Sequence, residues 1–208
     1  MYEAKAMQNQ VNDVYLKVVR NFPNIKPEEI EVMHLPATVR IISIVPINPI
    51  DYMIGQLCSP PKEARIRPTL VTGNSFLKLK REEQEAAIAH EIGHYCHTAK
   101  NLNPKRIRRH MKSNLHVNEY IRENPVKIIL SNLTKEGRAR NRRLKKISLL
   151  NELYADSKAA EAGYGEQLYK LLKDMNTNVT EYSIPVRGRI ELKERIKNLE
   201  KILQKEKQ

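Results

Sequence analysis

The stretch "AAIAHEIGHYCHTAKN", residues Ala86–Asn101, decides the fold and the chemistry expected of this chain. It carries two histidines four residues apart, His90 and His94, with Glu91 directly after the first. On an α-helix this spacing puts both rings on one face, where they can share a tetrahedral metal ion. The residues around them are mostly small or apolar, which predicts a buried helix rather than a charged helix facing solvent.

Glu91 follows the first histidine and lies beside the face that the two rings form. A carboxylate at this place can reach a zinc-bound water and take its proton as the water attacks a peptide carbonyl. The H-E-x-x-H pattern is typical of sites in which two histidines bind zinc and the glutamate acts as general base. The sequence therefore predicts one Zn²⁺ per chain, with His90 and His94 as ligands and Glu91 as general base.

A catalytic zinc takes a third protein ligand and keeps one open position. His97 follows on the same helix, but a third ligand from one rigid helix points along its axis. His110, with His116 after it, lies among cations that disfavour a divalent metal. Glu152 is favoured, because an unpaired carboxylate is costly in an otherwise apolar helix. Asp156, one turn later, can accept the N–H of a ligating histidine.

With these residues the sequence resembles the gluzincin metallopeptidases. The similarity is to the soluble catalytic domain of CAAX prenyl endopeptidases, to HtpX-like proteases and to minigluzincins. Two stretches carry it, "TLVTGNSFLKLKREEQEAAIAHEIGHY" and "LLNELYADSKAAEAGY". They fall within residues 66–97 and 147–164, about a quarter of the chain. The resemblance implies a zincin-like fold and hydrolysis of a protein or peptide substrate.

The resemblance also implies roles for individual residues. His90, His94 and Glu152 would bind zinc. Glu91 would act as general base and acid, and Asp156 would support a ligating histidine. Substrate would lie as an extended peptide along an edge strand within "RPTLVT", held by backbone hydrogen bonds. The residues of that strand are Thr69, Leu70, Val71 and Thr72.

One departure from the family pattern concerns the oxyanion. The relatives carry a histidine near the C-terminal part of the site, where it can stabilise the tetrahedral intermediate. Here Ile184 stands at that place. A developing oxyanion needs a donor close to it. Tyr182, Arg189 and Arg195 are the candidate donors.

The pattern of apolar residues predicts an α+β, mostly helical chain with a small mixed β-sheet on the H-E-x-x-H helix. We expect a single metallopeptidase-like domain over residues 1–208, with a basic helical insertion at about 100–147. Strands are predicted in "EVMHL", "TVRIISIV" and "TLVTG". Helices are predicted over the first 22 residues, from near Lys80 through the motif, and at 146–163, 165–176 and 189–206. The insertion should form basic helices that break at Pro125 and near Gly137.

The positive charge is concentrated in one segment. The chain has a net charge of +13, and residues 100–150 hold fifteen Lys or Arg against three acids, a net of +12. This predicts a surface for a polyanion, either nucleic acid or an acidic protein, with anionic lipid as a further alternative. Tyr120 is the only aromatic residue between Asn101 and Leu153, so the pattern favours phosphate contact over base stacking.

The remaining features favour a soluble cytoplasmic protein. The N-terminus has no signal-peptide pattern, and the most apolar stretch, "IISIVPINPIDYMIGQL", is interrupted by prolines and an aspartate. We therefore predict no transmembrane segment. The two cysteines, Cys58 and Cys96, are expected to be reduced thiols.

Two other functions fit parts of the sequence. A SprT-like, DNA-associated protease would use His110 or His116 as third ligand and the basic segment to hold DNA. A non-catalytic protein that binds nucleic acid or has a structural role could keep the zincin fold without peptide hydrolysis.

Overall fold

The computed structural model describes residues 2–36, 42–45, 68–99, 135–178 and 186–206. Within these ranges the chain is mostly helical with one small mixed sheet, so the predicted α+β class is confirmed at this level. The helices are α1 (Tyr2–Val19), α2 (Asn74–Leu77), α3 (Arg81–Ala99), α4 (Lys135–Ala159), α5 (Gly165–Thr177) and α6 (Val186–Glu206). The strands are β1 (Glu31–His34), β2 (Ile42–Val45) and β3 (Thr69–Thr72).

The sheet has the strand order β1-β3-β2. β1 runs parallel to β3, with Glu31 opposite Thr69, and β2 runs antiparallel to β3, with Ile42 opposite Thr72. All four residues of β3 are buried. Their β-branched and apolar character, without alternation, is typical of a strand that is covered on both faces.

The prediction that β3 is the substrate edge strand is wrong. Its four residues, Thr69, Leu70, Val71 and Thr72, lie between two other strands. Both rows of backbone groups are therefore already used in the sheet. Among the described strands, the outer sides of β1 and β2 form the edges. Sequence could identify β3 as a strand, but strand order depends on contacts between distant parts of the chain.

Helix α1 covers the motif helix from one side. Its predicted apolar face is buried throughout and consists of Val11, Val14, Tyr15, Val18 and Val19. At the edge of this contact, Lys17 Nζ lies 2.7 Å from the Glu85 carboxylate of α3. The period of 3.6 residues thus predicts correctly which face of α1 enters the core.

Helix α3 begins at Arg81, next to the predicted start. Its acids Glu82 and Glu83 lie in the first turn, where the helix dipole favours negative charge. The Glu83 carboxylate accepts a hydrogen bond from the Lys80 backbone N–H at 2.9 Å. Ala86, Ala87, Ile88, Ala89 and Ile92 are buried. The motif therefore lies in a buried helix, as expected.

Helix α4 is longer than predicted. It runs without interruption from Lys135 to Ala159, so the predicted break near Gly137 is wrong. Gly137 lies in the first turn, where the backbone N–H groups have no partner within the helix. A glycine destabilises a helix less at this position than in the helix interior. The predicted stop at Gly163 is correct, since this residue has φ of 89° and ends the helical path.

Helices α5 and α6 close the structure against α3 and α4. α5 buries Leu168, Leu171 and Leu172, and α6 buries Leu192, Ile196 and Leu199. Arg195 precedes Ile196 on α6 and therefore lies at the border of the buried face. This position lets a charged side chain enter the molecule beside the motif helix.

Part of the predicted basic insertion lies outside the described residues. Only its last portion, from Lys135 onward, is described, and this portion is the beginning of α4. The predicted break at Pro125 and the candidate ligands His110 and His116 fall outside the described ranges, as do Cys58 and Tyr182. No helix in the described ranges is long and apolar enough to cross a membrane.

Candidate metal centre

The two motif histidines meet on the inner face of α3. The Nε2 atoms of His90 and His94 are 3.1 Å apart, and their rings are nearly perpendicular with centroids 4.6 Å apart. His90 is buried and His94 is partly exposed. The spacing of four residues therefore produces the convergence of two imidazole nitrogens that the sequence predicts.

Helix α4 brings a carboxylate to the same point. The Glu152 oxygens Oε2 and Oε1 lie 3.3 Å from His90 Nε2 and 3.3 Å from His94 Nε2, respectively. In the described part of the chain, these three residues are the group of histidine, cysteine and acidic side chains that could hold a metal ion.

The spacing of these donors fits a small tetrahedral ion. Zinc bonds to imidazole nitrogen and carboxylate oxygen are about 2.0–2.2 Å long, which puts neighbouring ligand atoms of a tetrahedron about 3.3–3.6 Å apart. The observed separations of 3.1 and 3.3 Å are close to this value. Lone pairs at such distances repel each other unless a proton or a cation lies between them. The residues therefore fit a metal ion with nitrogen and oxygen ligands.

Asp156 contacts the ring nitrogen of His90 that does not face Glu152. Its carboxylate is fully buried, and Oδ1 lies 2.8 Å from His90 Nδ1. A hydrogen on Nδ1 donates to this oxygen and leaves the Nε2 lone pair for the metal. The structure thus brings Asp156 to the place where a supporting residue was predicted.

Arg195 compensates the buried charge of Asp156. Its Nε and Nη2 donate to the two Asp156 oxygens at 2.8 and 2.7 Å, a bidentate pair. Its Nη1 also lies 2.9 Å from Glu152 Oε2. One guanidinium therefore contacts both carboxylates of the centre, a role that sequence analysis missed.

The oxyanion role predicted for Arg195 remains a prediction. The described contacts of its guanidinium are to the Asp156 and Glu152 carboxylates and to His90. The side chain of Arg189 on α6 is not among those described, and Tyr182 lies outside the described ranges. The side chain of His97, weighed as a third ligand, is likewise not described.

These contacts raise the pKa of His90 and lower the pKa values of Glu152 and Asp156. Burial and the Arg195 charge oppose protonation of His90, but its hydrogen bonds to Asp156 and Glu152 outweigh them and raise its pKa from 6.5 to about 9. Burial alone would raise the pKa of Glu152. The hydrogen bonds from His90 and His94 and the Arg195 charge instead hold this pKa well below its usual range. The pKa of Asp156 is lowered against its burial by His90 and Arg195.

A close helix crossing makes the convergence of α3 and α4 geometrically feasible. A Cβ placed on Gly93 would lie 2.5 Å from the Ala155 carbonyl oxygen and 2.9 Å from the Ala155 Cα. No side chain fits in this space, so the second variable position of the motif has to be glycine here. The sequence marks Gly93 as small but does not reveal its partner.

The metal-binding group opens onto a cleft of about 310 Å³. Glu91, His90, His94 and Glu152 line the cleft together with Arg195. The rest of the lining is apolar and comes from β2, α3 and α5 and from the segment between α2 and α3. These residues are Ile42, Leu79, Ala87, Leu168, Leu171, Leu172 and Met175. Glu91 therefore shares a cavity with the metal-binding group, as the motif predicts.

The apolar wall of this cleft is not evident from the sequence. The residues of α5 that form it recur at helical spacing, which indicated only that one face of α5 enters the core. Their neighbours in the cleft come from other parts of the chain, which the sequence alone does not bring together.

Comparisons with protein-family models, with curated proteins and with solved structures give no significant match to this chain. The chemistry of the centre therefore has to be inferred from its own side chains.

Proposed function

We propose that this protein is a zinc-dependent endopeptidase of the gluzincin type that hydrolyses peptide bonds, with Glu91 as general base. The observation that carries this proposal is the convergence of His90, His94 and Glu152, whose donor atoms are separated by 3.1–3.3 Å, in a cleft that Glu91 also lines. A ligand set of two imidazoles and one carboxylate leaves an open position on zinc, which is the pattern of catalytic zinc sites.

The residues of the centre divide the work between them. Zinc bound to the three ligands would supply Lewis acidity, which lowers the pKa of water and polarises the scissile carbonyl. Glu91 accepts a proton from the attacking water and delivers it to the leaving amine. Asp156 orients His90, and Arg195 keeps both carboxylates ionised by its charge.

The edge of β2 is the best place for an extended substrate. β2 lies at the outside of the described sheet, and its first residue, Ile42, lines the cleft that holds the metal-binding group. A peptide added antiparallel or parallel to this edge would form backbone hydrogen bonds beside the ligands. The apolar cleft wall would accept a large aliphatic side chain of the substrate.

Three variants test this proposal by metal content and by cleavage of an unfolded protein. We expect about one zinc per wild-type chain, as for a three-ligand site. Glu152→Ala should lose zinc and activity together. Glu91→Gln should keep zinc and lose activity by about 100-fold or more. Glu82→Gln, an exposed glutamate on the same helix, is the matched control and should keep both.

The same measurements, with His110→Ala and His116→Ala as two additional variants, separate the alternatives. Zinc that persists in Glu152→Ala but disappears in His110→Ala or His116→Ala would support the SprT-like ligand set instead. Zinc-loaded wild type that cleaves no unfolded protein would support a non-catalytic role. The distances of 3.3 Å from Glu152 to both histidines support the glutamate as ligand.

A further inference from the structure

The first part of α4 is an exposed and strongly cationic segment. We call residues 135–150 the cationic arm. It holds seven Lys or Arg and one acid, Glu136, a net charge of +6. Within the arm, the described side chains at positions 139, 142, 143, 146, 147, 148 and 150 are all exposed, and only Leu149 is partly buried. The arm therefore extends from the core, while the second half of the same helix carries Glu152 and Asp156.

The charges of the arm oppose its own helical structure. Arg138, Arg142 and Lys146 follow one another at a spacing of four residues, where like charges on a helix repel. Lys135 lies in the first turn, at the positive end of the helix dipole. Among the described acids, none forms an ion pair with Arg142, Arg143 or Lys146. A bound polyanion would remove this repulsion and stabilise the helix.

The distribution of the cations identifies the kind of polyanion. At 3.6 residues per turn, the seven cations occupy more than half of the helix circumference. Two large aliphatic residues, Ile147 and Leu150, are 48% and 53% exposed and lie among the cations rather than on a separate face. A helix that lies in a membrane interface needs a separate apolar face. Cations on several sides of the helix instead fit a groove with phosphates on both flanks.

The composition of the arm and the groove dimensions favour duplex DNA among nucleic acids. The arm contains no aromatic residue on which the bases of a single strand could stack. The B-form major groove is about 12 Å wide and admits an α-helix, whereas the A-form major groove of duplex RNA is too narrow for side chains to read. Four of the seven cations are arginines, whose guanidinium pairs with phosphate in a bidentate manner.

We propose that the cationic arm binds the backbone phosphates of B-form DNA without base specificity, with the arm lying along the major groove. This binding activity is separate from the proposed peptide hydrolysis and does not depend on it. Because α4 is continuous, it connects the arm rigidly to the candidate metal centre. Lys146 and Glu152 are six residues apart, a rise of about 9 Å along the helix.

The test compares two triple variants of the full chain in DNA binding. Arg142→Gln/Arg143→Gln/Lys146→Gln neutralises three exposed cations of the arm. The matched control, Lys193→Gln/Lys197→Gln/Lys201→Gln, neutralises three exposed cations on α6. Binding of a labelled duplex of about 20 base pairs is measured by fluorescence anisotropy between about 50 and 200 mM salt.

We expect wild type to bind with an affinity that falls steeply with salt. The arm variant should bind about 100-fold more weakly at 100 mM salt, and its log–log salt slope should decrease by about three, one for each lost phosphate contact. The control should stay within about 3-fold of wild type, since its cations lie outside the arm. Zinc content should be equal in all three proteins.

Four outcomes would overturn the proposal. Equal losses in both triple variants would show that DNA responds only to the overall charge of +13. Tight binding to phosphatidylserine vesicles without binding to DNA would assign the arm to membranes. Equal or tighter binding of duplex RNA through the same three residues would exclude the major-groove arrangement. An unchanged salt slope in the arm variant would show that these residues do not contact phosphate.

Discussion

At the scale of single residues, the candidate metal centre depends on a series of contacts behind the proposed ligands. His90 contacts Asp156, and Asp156 in turn forms a bidentate pair with Arg195. Asp156 is completely buried, so its charge would be very costly without these partners. The pairs keep Asp156 ionised, and the ionised carboxylate in turn fixes the orientation of His90. The proposed ligand set is therefore already organised in the metal-free protein.

This series of contacts makes the stability of the metal-free protein depend on pH. The folded protein holds a proton on His90 up to about pH 9, whereas the ordinary pKa is 6.5. The resulting stabilisation is complete below about pH 6.5 and is lost as the pH rises through 9. We expect the free energy of unfolding, measured with urea after chelation, to fall by about 3 kcal/mol over this interval. Metal-bound protein should lack this fall, because metal binding displaces the proton from Nε2.

The control for this measurement is His90→Gln, which removes the titrating ring. The metal-free variant should be less stable than wild type at pH 6.5 and should change little up to pH 9. The lowered pKa values of Glu152 and Asp156 affect the stability of the protein at acidic pH. Their stabilisation is present at neutral pH and is lost as the pH falls into the acidic range. A free energy of unfolding that is flat or rises between pH 6.5 and 9 in wild type would contradict the prediction.

The residues of the centre differ in how far sequence could predict their positions. His90, Glu91 and His94 share one helical turn, so local spacing alone brings them together. The position of Glu152 followed from the cost of a carboxylate in an apolar helix. Arg195 was predicted only as a candidate oxyanion donor, and its contacts with the two carboxylates were missed. Its contact with Asp156 spans 39 residues and depends on how α6 packs, which no local pattern encodes.

At the scale of elements, the crossing of α3 and α4 determines whether the ligands can meet. Gly93 and Ala155 touch backbone to backbone at this crossing, and both are buried. Since Glu152 is less than one turn from Ala155, any separation of the helices moves its carboxylate away from the histidines. The glycine in the motif is thus required by the distance between two helices and not by its own backbone angles.

Gly93→Ala tests this requirement. The added methyl group would meet the Ala155 carbonyl oxygen at 2.5 Å, so α3 and α4 must move apart. We expect a loss of about 2 kcal/mol in the free energy of unfolding. We also expect zinc affinity to fall by about 10-fold or more, measured by competition with a chromogenic chelator.

Gly163→Ala is the matched control for this substitution. A Cβ at Gly163 has no atom within 4 Å, but the residue has φ of 89°. The control should therefore lose about 1–2 kcal/mol through backbone strain and keep its zinc affinity. Equal zinc affinities in wild type and Gly93→Ala would show that the close crossing does not position Glu152.

Element positions were predictable where the signal is local. Helical periodicity correctly identified α1, α3, α5 and α6, and Gly163 correctly marked the stop after α4. The start of α4 was placed too late, because Gly137 was taken as a break although a glycine in a first helical turn is tolerated. β3 was correctly predicted as a strand but was wrongly expected at the edge, since its neighbours are separated from it in sequence.

At the scale of the whole molecule, α4 joins two surfaces of different character. Its second half supplies Glu152 and Asp156 to the candidate metal centre, and its first half is the cationic arm. In a chain with a net charge of +13, the arm carries a net charge of +6 on the same helix that supplies a proposed metal ligand. The proposed DNA-binding surface and the proposed catalytic surface would then have a fixed relative orientation.

The cleft also belongs to the scale of the whole molecule, because elements that are distant in sequence line it together. Met175 of α5 and Ile42 of β2 line it and are more than a hundred residues apart in sequence. This apolar wall predicts a preference for a large aliphatic side chain next to the scissile bond. Wild type should cleave a peptide with leucine there about 10-fold or more faster, in kcat/KM, than the alanine analogue.

Met175→Gln tests this preference without touching the ligands. Met175 is partly exposed, so a glutamine of similar size can be accommodated while it makes the wall polar. The leucine preference should fall to about 3-fold or less, with zinc content unchanged. Lys170→Gln, an exposed position on the same helix, is the control and should keep the wild-type preference. A wild-type protein that cleaves both peptides equally well, or a Met175→Gln variant that keeps the full preference, would show that substrate side chains bind elsewhere than in this cleft.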